Sequence, residues 1–217
     1  MDSARWSLDA AIADEPLWRH LGGSSGVVAV NALVVGAQPD DLRTATREAV
    51  GAGCGTIKVK LGMGDDVDRL AAVASAADPD TRVRLDANAA WGSDEAVARL
   101  AEAVELLGDR LEYVEDPVAS LGELAAVRAR LDLPVAVDEL VRTSDQLAEV
   151  IDHSLADVVV VKPALLGGIT PTRALAQAAR EGGLDVVLSS LYDGPVGLAV
   201  WCHLAASLGG SLSLIHI

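Results

Sequence analysis

The chain has 217 residues, of which 51% are hydrophobic and 3% aromatic, with no Phe. That apolar content fits a packed globule rather than a disordered chain, with Ala, Val and Leu left to build the core. The 17 Lys and Arg against 32 Asp and Glu give a formal charge of −15, which argues against non-specific nucleic-acid binding and against attraction to anionic membranes.

Met1 to His20 shows no signal-peptide pattern, and no segment offers the roughly 20 apolar residues of a membrane span. Cys54 and Cys202 are far apart and lack metal-ligand or redox spacing. Reduced thiols in a cytoplasmic protein are the expectation. Ser3 to Ala13 has a helical pattern, followed by Pro16-Leu17-Trp18 and Gly22-Gly23. A first strand is predicted over Val27 to Val35, then a helix opened by Pro39-Asp40-Asp41 and running to Val50. Thr56 to Leu61 predicts the second strand, Asp65 to Ala77 a helix and Arg82 to Ala87 the third strand. Ser93 is the expected cap of the next helix, whose apolar face holds Ala96, Leu100 and Val104. The fourth strand, Leu111 to Glu115, is stopped by Pro117. A helix over Leu121 to Arg130 leads to a fifth strand over Pro134 to Asp138. Ser144 is the expected cap of a helix ending at Ile151, before a sixth strand over Asp157 to Lys162. Thr170-Pro171 starts a helix through Arg180, Asp185 to Ser190 forms a seventh strand, and Val196 to Leu208 the last helix.

Strands alternating with amphipathic helices read as βα units on a parallel sheet. The alternative is an open doubly wound sheet, but Gly36-Ala37-Gln38-Pro39 after the first strand is no G-x-G-x-x-G. A (β/α) barrel is therefore favoured, although the chain is short of the roughly 250 residues typical of that fold. Residues 24–208 form the expected barrel domain and 1–23 a preceding piece. The tail 209–217 is set aside as atypical and too poorly patterned for a barrel strand.

The chemistry gathers at the C-terminal ends of the strands, the active-site face of a barrel. Lys58 and Lys60 end the second strand, Asp86 and Asn88 the third, Glu115 the fourth, Asp138 and Glu139 the fifth, Lys162 the sixth, and Ser189 and Ser190 the seventh. Residues two apart share a face, so Lys58 and Lys60 point together and Val59 points away. Three carboxylates on adjacent strand ends, Asp86, Glu115 and Asp138, are hard oxygen donors suited to Mg²⁺. The bland alternative is that such acids cap the following helices. Lysines ending buried strands need partners. Lys60 and Lys162 lie on strands expected on opposite sides of the barrel. One such lysine can remove a proton α to a carboxylate while the other stabilises the charge that develops. A structural ion-pair network remains the competing explanation. None of His20, His153, His203 and His216 ends a strand, and Ser189-Ser190 lacks the G-x-S-x-G of a serine hydrolase. Gly167-Gly168 either admits an anion to the backbone or simply turns the chain into a helix.

IKVKLG, RLDANAAW, YVEDP, AVDEL and VVVKPALLGG, in that order, resemble the enolase superfamily. Within it they are most similar to the muconate-lactonizing subgroup and, through KPALLGG and VVLSSLYDGPVGLA, to the o-succinylbenzoate synthases of menaquinone biosynthesis. The resemblance spans residues 4–208. It implies Lys60 as the base that abstracts the α-proton and Lys58 as its support. It makes Asp86, Glu115 and Asp138 the ligands of Mg²⁺, or of Mn²⁺ in its place. It sets Asn88 beside the metal and Lys162 against the substrate ring. Gly168, Ser189 and Ser190 would line the pocket for the succinyl end. The implied reaction is syn dehydration of a cyclohexadiene carboxylate to 2-succinylbenzoate. The partner is a small-molecule carboxylate, with no nucleic acid or membrane and with a homo-oligomer left open. Relative to the family, the barrel is expected to be incomplete. Most of the N-terminal capping domain is expected to be missing, with residues 1–23 as its remnant, and the eighth strand to be missing or replaced by the tail. A cycloisomerase, an N-acylamino acid or dipeptide epimerase, and a truncated non-catalytic barrel share these features and stay open.

Overall fold

A computed structural model describes residues 1–62, 64–209 and 211–213. In chain order the elements are α1 (Asp2–Ile12), α2 (Leu17–His20), β1 (Ala29–Val34), α3 (Pro39–Gly51), β2 (Thr56–Lys60), α4 (Asp66–Ala76), β3 (Arg82–Asp86), α5 (Ser93–Leu107), β4 (Leu111–Glu115), α6 (Leu121–Arg128), β5 (Val135–Val137), α7 (Ser144–Asp152), β6 (Val158–Val161), α8 (Pro163–Leu166), α9 (Ile169–Glu181), β7 (Asp185–Ser189), α10 (Pro195–Leu208) and β8 (Ser211–Ser213). They fall into two compact units, Asn31–Asp157 and the combination of Met1–Val30 with Val158–Ile217.

In the unit Asn31–Asp157 the sheet is parallel and its strand neighbours follow chain order. Val34 pairs with Val59, Lys60 with Asp86, Asp86 with Glu115, and Glu115 with Ala136. Consecutive order without a reversal is the pattern of a barrel wall, not of a doubly wound sheet, whose order switches. The Lys60–Asp86–Glu115 register brings the ends of β2, β3 and β4 level. Ile57, Val59, Leu85 and Val114 are fully buried, as are Leu42, Val73, Leu100 and Leu124 of the covering helices. Each such side chain contributes about 1.5–3 kcal/mol on burial. Two helix starts differ by one residue from expectation. Ser93 is the first helical residue and Gly92 precedes it in extended conformation, without a side-chain cap. Thr143, not Ser144, caps α7, because its hydroxyl accepts the Gln146 amide while the Gln146 side chain takes the Thr143 amide.

In the other unit β6 pairs with β7 and β7 with β8, again parallel. β8 lies inside the tail that the sequence set aside. Ser211, Leu212 and Ser213 register against Val187, Leu188 and Ser189. The eighth-strand expectation is corrected to that extent: three residues of the tail pair as a strand. His216 falls outside the described residues. α8 is a single turn that was not foreseen. Pro163 starts it and Gly167, at φ 95°, ends it in the left-handed region.

α1 is tied to the start of α9 by Asp2. The Thr170 amide and hydroxyl donate to the Asp2 carboxylate at 2.9 and 2.6 Å, and Trp6 Nε1 donates to Thr170 Oγ1 at 2.9 Å. Against a desolvation cost, these Thr170 bonds and the Ile169 amide hold the Asp2 carboxyl below its usual range. A depressed carboxyl stabilises above its unfolded pKa, about 3.9 for Asp, and that contribution is lost as the pH falls through the lower folded value. Trp6 fluorescence is therefore expected to change below about pH 4. Asp2→Asn should remove that transition, and its persistence in the variant would exclude Asp2 as the cause.

Candidate active site

All three lysines of the chain are Lys58, Lys60 and Lys162; its other basic residues are arginines. Lys58 and Lys60 project to one side of β2 as their spacing requires, with Val59 buried on the other. Lys58 Nζ lies 2.7 Å from Asp86 Oδ2 and donates to both Glu115 oxygens at 2.7 and 2.8 Å. Lys60 Nζ reaches Asp86 Oδ2 at 2.6 Å and Asn88 Oδ1 at 2.7 Å. The two ammonium groups differ in access. The Lys58 side chain is 6% exposed and that of Lys60 28%. Lys58 is sealed among its partners, while Lys60 stands where a small molecule can meet it.

The loops after β3 and β4 aim these groups. Asn88 (φ 48°) and Ala89 (φ 57°) take left-handed backbone, and the Asn88 amide donates to Asp86 Oδ1 at 3.0 Å. Asn tolerates that region better than a β-branched residue. Asp116, at φ 39° before Pro117, turns its carboxylate onto the amides of Asp138 (3.1 Å) and Glu139 (2.6 Å). It thereby fixes the chain just beyond β5, where Asp138 is buried.

Charge is unbalanced here. Burial raises the Glu115 carboxyl, the charges of Asp86 and Asp138 add to the rise, and Lys58 opposes it, leaving Glu115 at about 8. Burial likewise lifts Asp116, to about 6. Asp86, although desolvated, is held low by Lys58 and Lys60. Lys58 is desolvated as well, yet Glu115 and Asp86 raise its pKa. A cluster of buried carboxylates, one of them still raised by burial and by its neighbours despite Lys58, offers oxygen donors suited to a hard cation. The donor set thus fits Mg²⁺. The atoms are nonetheless arranged as ion pairs. Among the described residues no three His, Cys, Asp or Glu side chains are grouped as a metal site. Asp86 and Glu115 turn their oxygens to lysine nitrogens instead, so the ion-pair network is present at these positions.

The remaining expected residues lie in the second unit. Lys162 precedes α8 in extended conformation and is half-buried. Ser189 and Ser190 are buried at the end of β7, the Ser189 hydroxyl donating to the Ser190 carbonyl at 3.4 Å. Gly168 (φ 132°) is closely covered, since a Cβ there would lie 2.7 Å from Asp2 Oδ2 and 2.9 Å from Ser3 Oγ. Its amide is already donated to Pro163 O at 3.1 Å.

Three buried polar groups were not foreseen. Asp116 had its signal in the E-D-P turn. Arg84, two residues before Asp86 on the same side of β3, bonds Asn31 Oδ1 at 3.0 Å and Glu112 Oε1 at 2.8 Å, and stacks 5.0 Å over the Tyr113 ring. Asp66 and Arg69 form a third group, buried behind β2.

Residues 41–216 match the family described as enolase C-terminal domain-like. The o-succinylbenzoate synthase of Thermobifida fusca is 43% identical over 188 residues, covering 83% of this chain and 56% of the relative. That of Mycobacterium ulcerans is 35% identical over 215 residues, covering 95% and 61%. The chain thus spans less than two thirds of the length of these relatives. The crystal structure of a dipeptide epimerase from Enterococcus faecalis superposes with a TM-score of 0.89 at 26% identity, over 96% of this chain and 62% of that one. With most of its length matched, the chain belongs to the enolase C-terminal domain-like family and has that family's (β/α)-barrel class of fold.

Proposed function

We propose that this chain is the catalytic barrel of an o-succinylbenzoate synthase, a Mg²⁺-dependent lyase of menaquinone biosynthesis acting in the cytoplasm. The observation that carries the proposal is the cluster at the ends of β2, β3 and β4. There an accessible lysine, Lys60, is held by Asp86 and Asn88 beside a sealed Lys58 and Glu115. The two relatives named o-succinylbenzoate synthase support the substrate class.

Lys60, in its neutral form, takes the proton from the ring carbon that bears the carboxylate. The electron pair passes into the carboxylate as an enediolate and returns to expel the hydroxyl on the neighbouring carbon. For a syn elimination the proton held on Lys60 is on the correct face to leave with that hydroxyl as water. Lys58 keeps Asp86 and Glu115 in place and adds positive charge nearby. Asp86, Glu115 and Asp138 would hold the Mg²⁺, which when bound supplies charge stabilisation for the enediolate. By the resemblance, Lys162 stabilises the same anion, and Gly168, Ser189 and Ser190 line the succinyl end. Asp2 and Ser3 close the side of Gly168 on which a Cβ would stand, so a ligand contact from that side requires them to give way.

Incubating this chain with the cyclohexadiene carboxylate and Mg²⁺ is expected to generate the ultraviolet absorbance of an aromatic product. EDTA should abolish it and added Mg²⁺ restore it. A folded chain supplied with metal and giving no product would exclude the dehydratase. The likeness to a dipeptide epimerase favours one second reading. Solvent deuterium entering the α-position of a dipeptide, with no product from the cyclohexadiene, would select it.

A further inference from the structure

We propose that Arg69 and Asp66 form a buried clamp that positions Lys60 from behind its own backbone, making Arg69 a positioning residue of the reaction. The inference rests on Lys60 being the base. Both side chains of the pair are almost fully buried, at 3% and 5% exposure, with Arg69 Nη1 2.7 Å from Asp66 Oδ1. A buried pair at i, i+3 on α4 is costly in desolvation and is a weak source of stability in itself. Its outward bonds point to another use. Arg69 Nη2 donates to the Lys60 carbonyl at 2.9 Å and to the Gly36 carbonyl at 3.3 Å. Asp66 Oδ2 accepts the Gly62 amide at 2.9 Å. One ion pair therefore grips the chain on both sides of Leu61, immediately after the candidate base, and ties it to the loop after β1.

The grip extends toward the residues that Lys60 touches. Gly62 (φ 76°) sits so close to the loop after β3 that an added Cβ would lie 2.6 Å from the Ala90 Cβ. Asp66 Oδ2 also lies 3.6 Å from Arg99 Nη1, and Arg99 stacks 5.6 Å over the Trp91 ring. Ala90 and Trp91 follow Asp86 and Asn88, the two side chains that hold the Lys60 ammonium. The clamp thus links the backbone of Lys60 with the loop carrying its side-chain partners. A lysine has four rotatable carbons and sets its ammonium poorly unless its root is fixed. A misplacement of 1 Å at a reacting group can cost about 100-fold in rate.

Arg69→Met alone would leave Asp66 buried without its partner and risks unfolding. The test therefore uses the double variant Asp66→Asn with Arg69→Met, which removes both charges together, alongside Arg69→Lys. With the cyclohexadiene carboxylate and Mg²⁺, the double variant is expected to stay folded by circular dichroism and to lose about 100-fold in kcat, with KM within about twofold. Arg69→Lys, which keeps one cation but not the forked donors, should recover part of kcat. The second readout needs neither substrate nor metal. The only amines are Lys58, Lys60, Lys162 and the N-terminus, so acetic anhydride labelling read by peptide mass spectrometry follows Lys60 directly. In the double variant Lys60 labelling should rise several-fold relative to Lys162, and amide exchange at Leu61 and Gly62 should quicken. A folded double variant with wild-type kcat, or with wild-type Lys60 labelling and amide exchange, would overturn the clamp. A wild-type chain that gives no product removes the dehydratase reading, and the labelling and exchange then decide the clamp alone.

Discussion

Lys60→Met is expected to lower α-proton abstraction by about 10²- to 10⁴-fold, the range that a positioned acid–base group contributes, while the chain stays folded. The asymmetry between the two β2 lysines leads to both halves of that result. Lys60 donates to Asp86 and Asn88 from a partly exposed position. Removing it still leaves the buried Asp86 paired with Lys58 at 2.7 Å, so the loss is expected to fall well short of that for a buried charge left with no partner, about 3–5 kcal/mol. Lys60→Arg should be as inactive as Lys60→Met, because a guanidinium keeps its proton throughout the accessible pH range. It can still satisfy Asp86 and Asn88. The direct measurement is exchange of the substrate α-hydrogen with deuterated solvent, followed by mass spectrometry. Exchange at the wild-type rate in either variant would remove Lys60 from the role of base and return it to the ion-pair network.

The sequence and the structure agree most closely where local rules are strong. β4 begins and ends where expected, and β2, β3, β6 and β7 differ by a residue or two, because short apolar alternations or runs between polar residues leave little freedom in where a strand lies. The same rule put Lys58 and Lys60 on one side. What escaped was whatever depends on contacts distant in sequence. Asp66 and Arg69 have the spacing of an ordinary surface pair on a helix. Only the packing of α4 behind β2 reveals that their partners are the carbonyls of Lys60 and Gly36. Arg84 lies inside β3 rather than at its end, where sequence position alone marks no site. Asp116 reads as part of a Pro-stopped turn, and only the fold carries its carboxylate to the amides beyond β5. β8 escaped because Ser-Leu-Ser carries no β-branched signature and pairs through its backbone with β7. Helix starts slipped by one residue at Ser93 and Ser144, since neighbouring Gly92 and Thr143 compete for the same role and only geometry decides.

Lys58 leads to the opposite outcome from Lys60. Its ammonium is sealed against Asp86 and both oxygens of Glu115. Lys58→Met fills a similar volume with an apolar side chain but strands the buried Glu115 carboxylate and leaves Asp86 to Lys60. Breaking a buried pair from one side costs about 3–5 kcal/mol, and in a domain of this size each 1 kcal/mol moves Tm by about 2–4 °C. A fall in Tm of about 10 °C is therefore expected for the metal-free variant. The same electrostatics also make the variant more responsive to metal. Glu115 already suffers from Asp86 and Asp138 when Lys58 is present, so without that ammonium a divalent cation meets a stronger field, with Lys60 the ammonium still paired with Asp86. Mg²⁺ should raise the Tm of Lys58→Met by more than it raises that of the wild type, because a ligand stabilises in proportion to the logarithm of its concentration over Kd. Differential scanning calorimetry across a Mg²⁺ titration, with Ca²⁺ as the larger-ion control, measures both quantities. An unchanged Tm without metal would mean that Lys58 does not offset the acids. An equal Mg²⁺ response in the two proteins would place the cation away from Asp86 and Glu115, and the metal assignment would then have to be abandoned even if Lys60 proved to be the base.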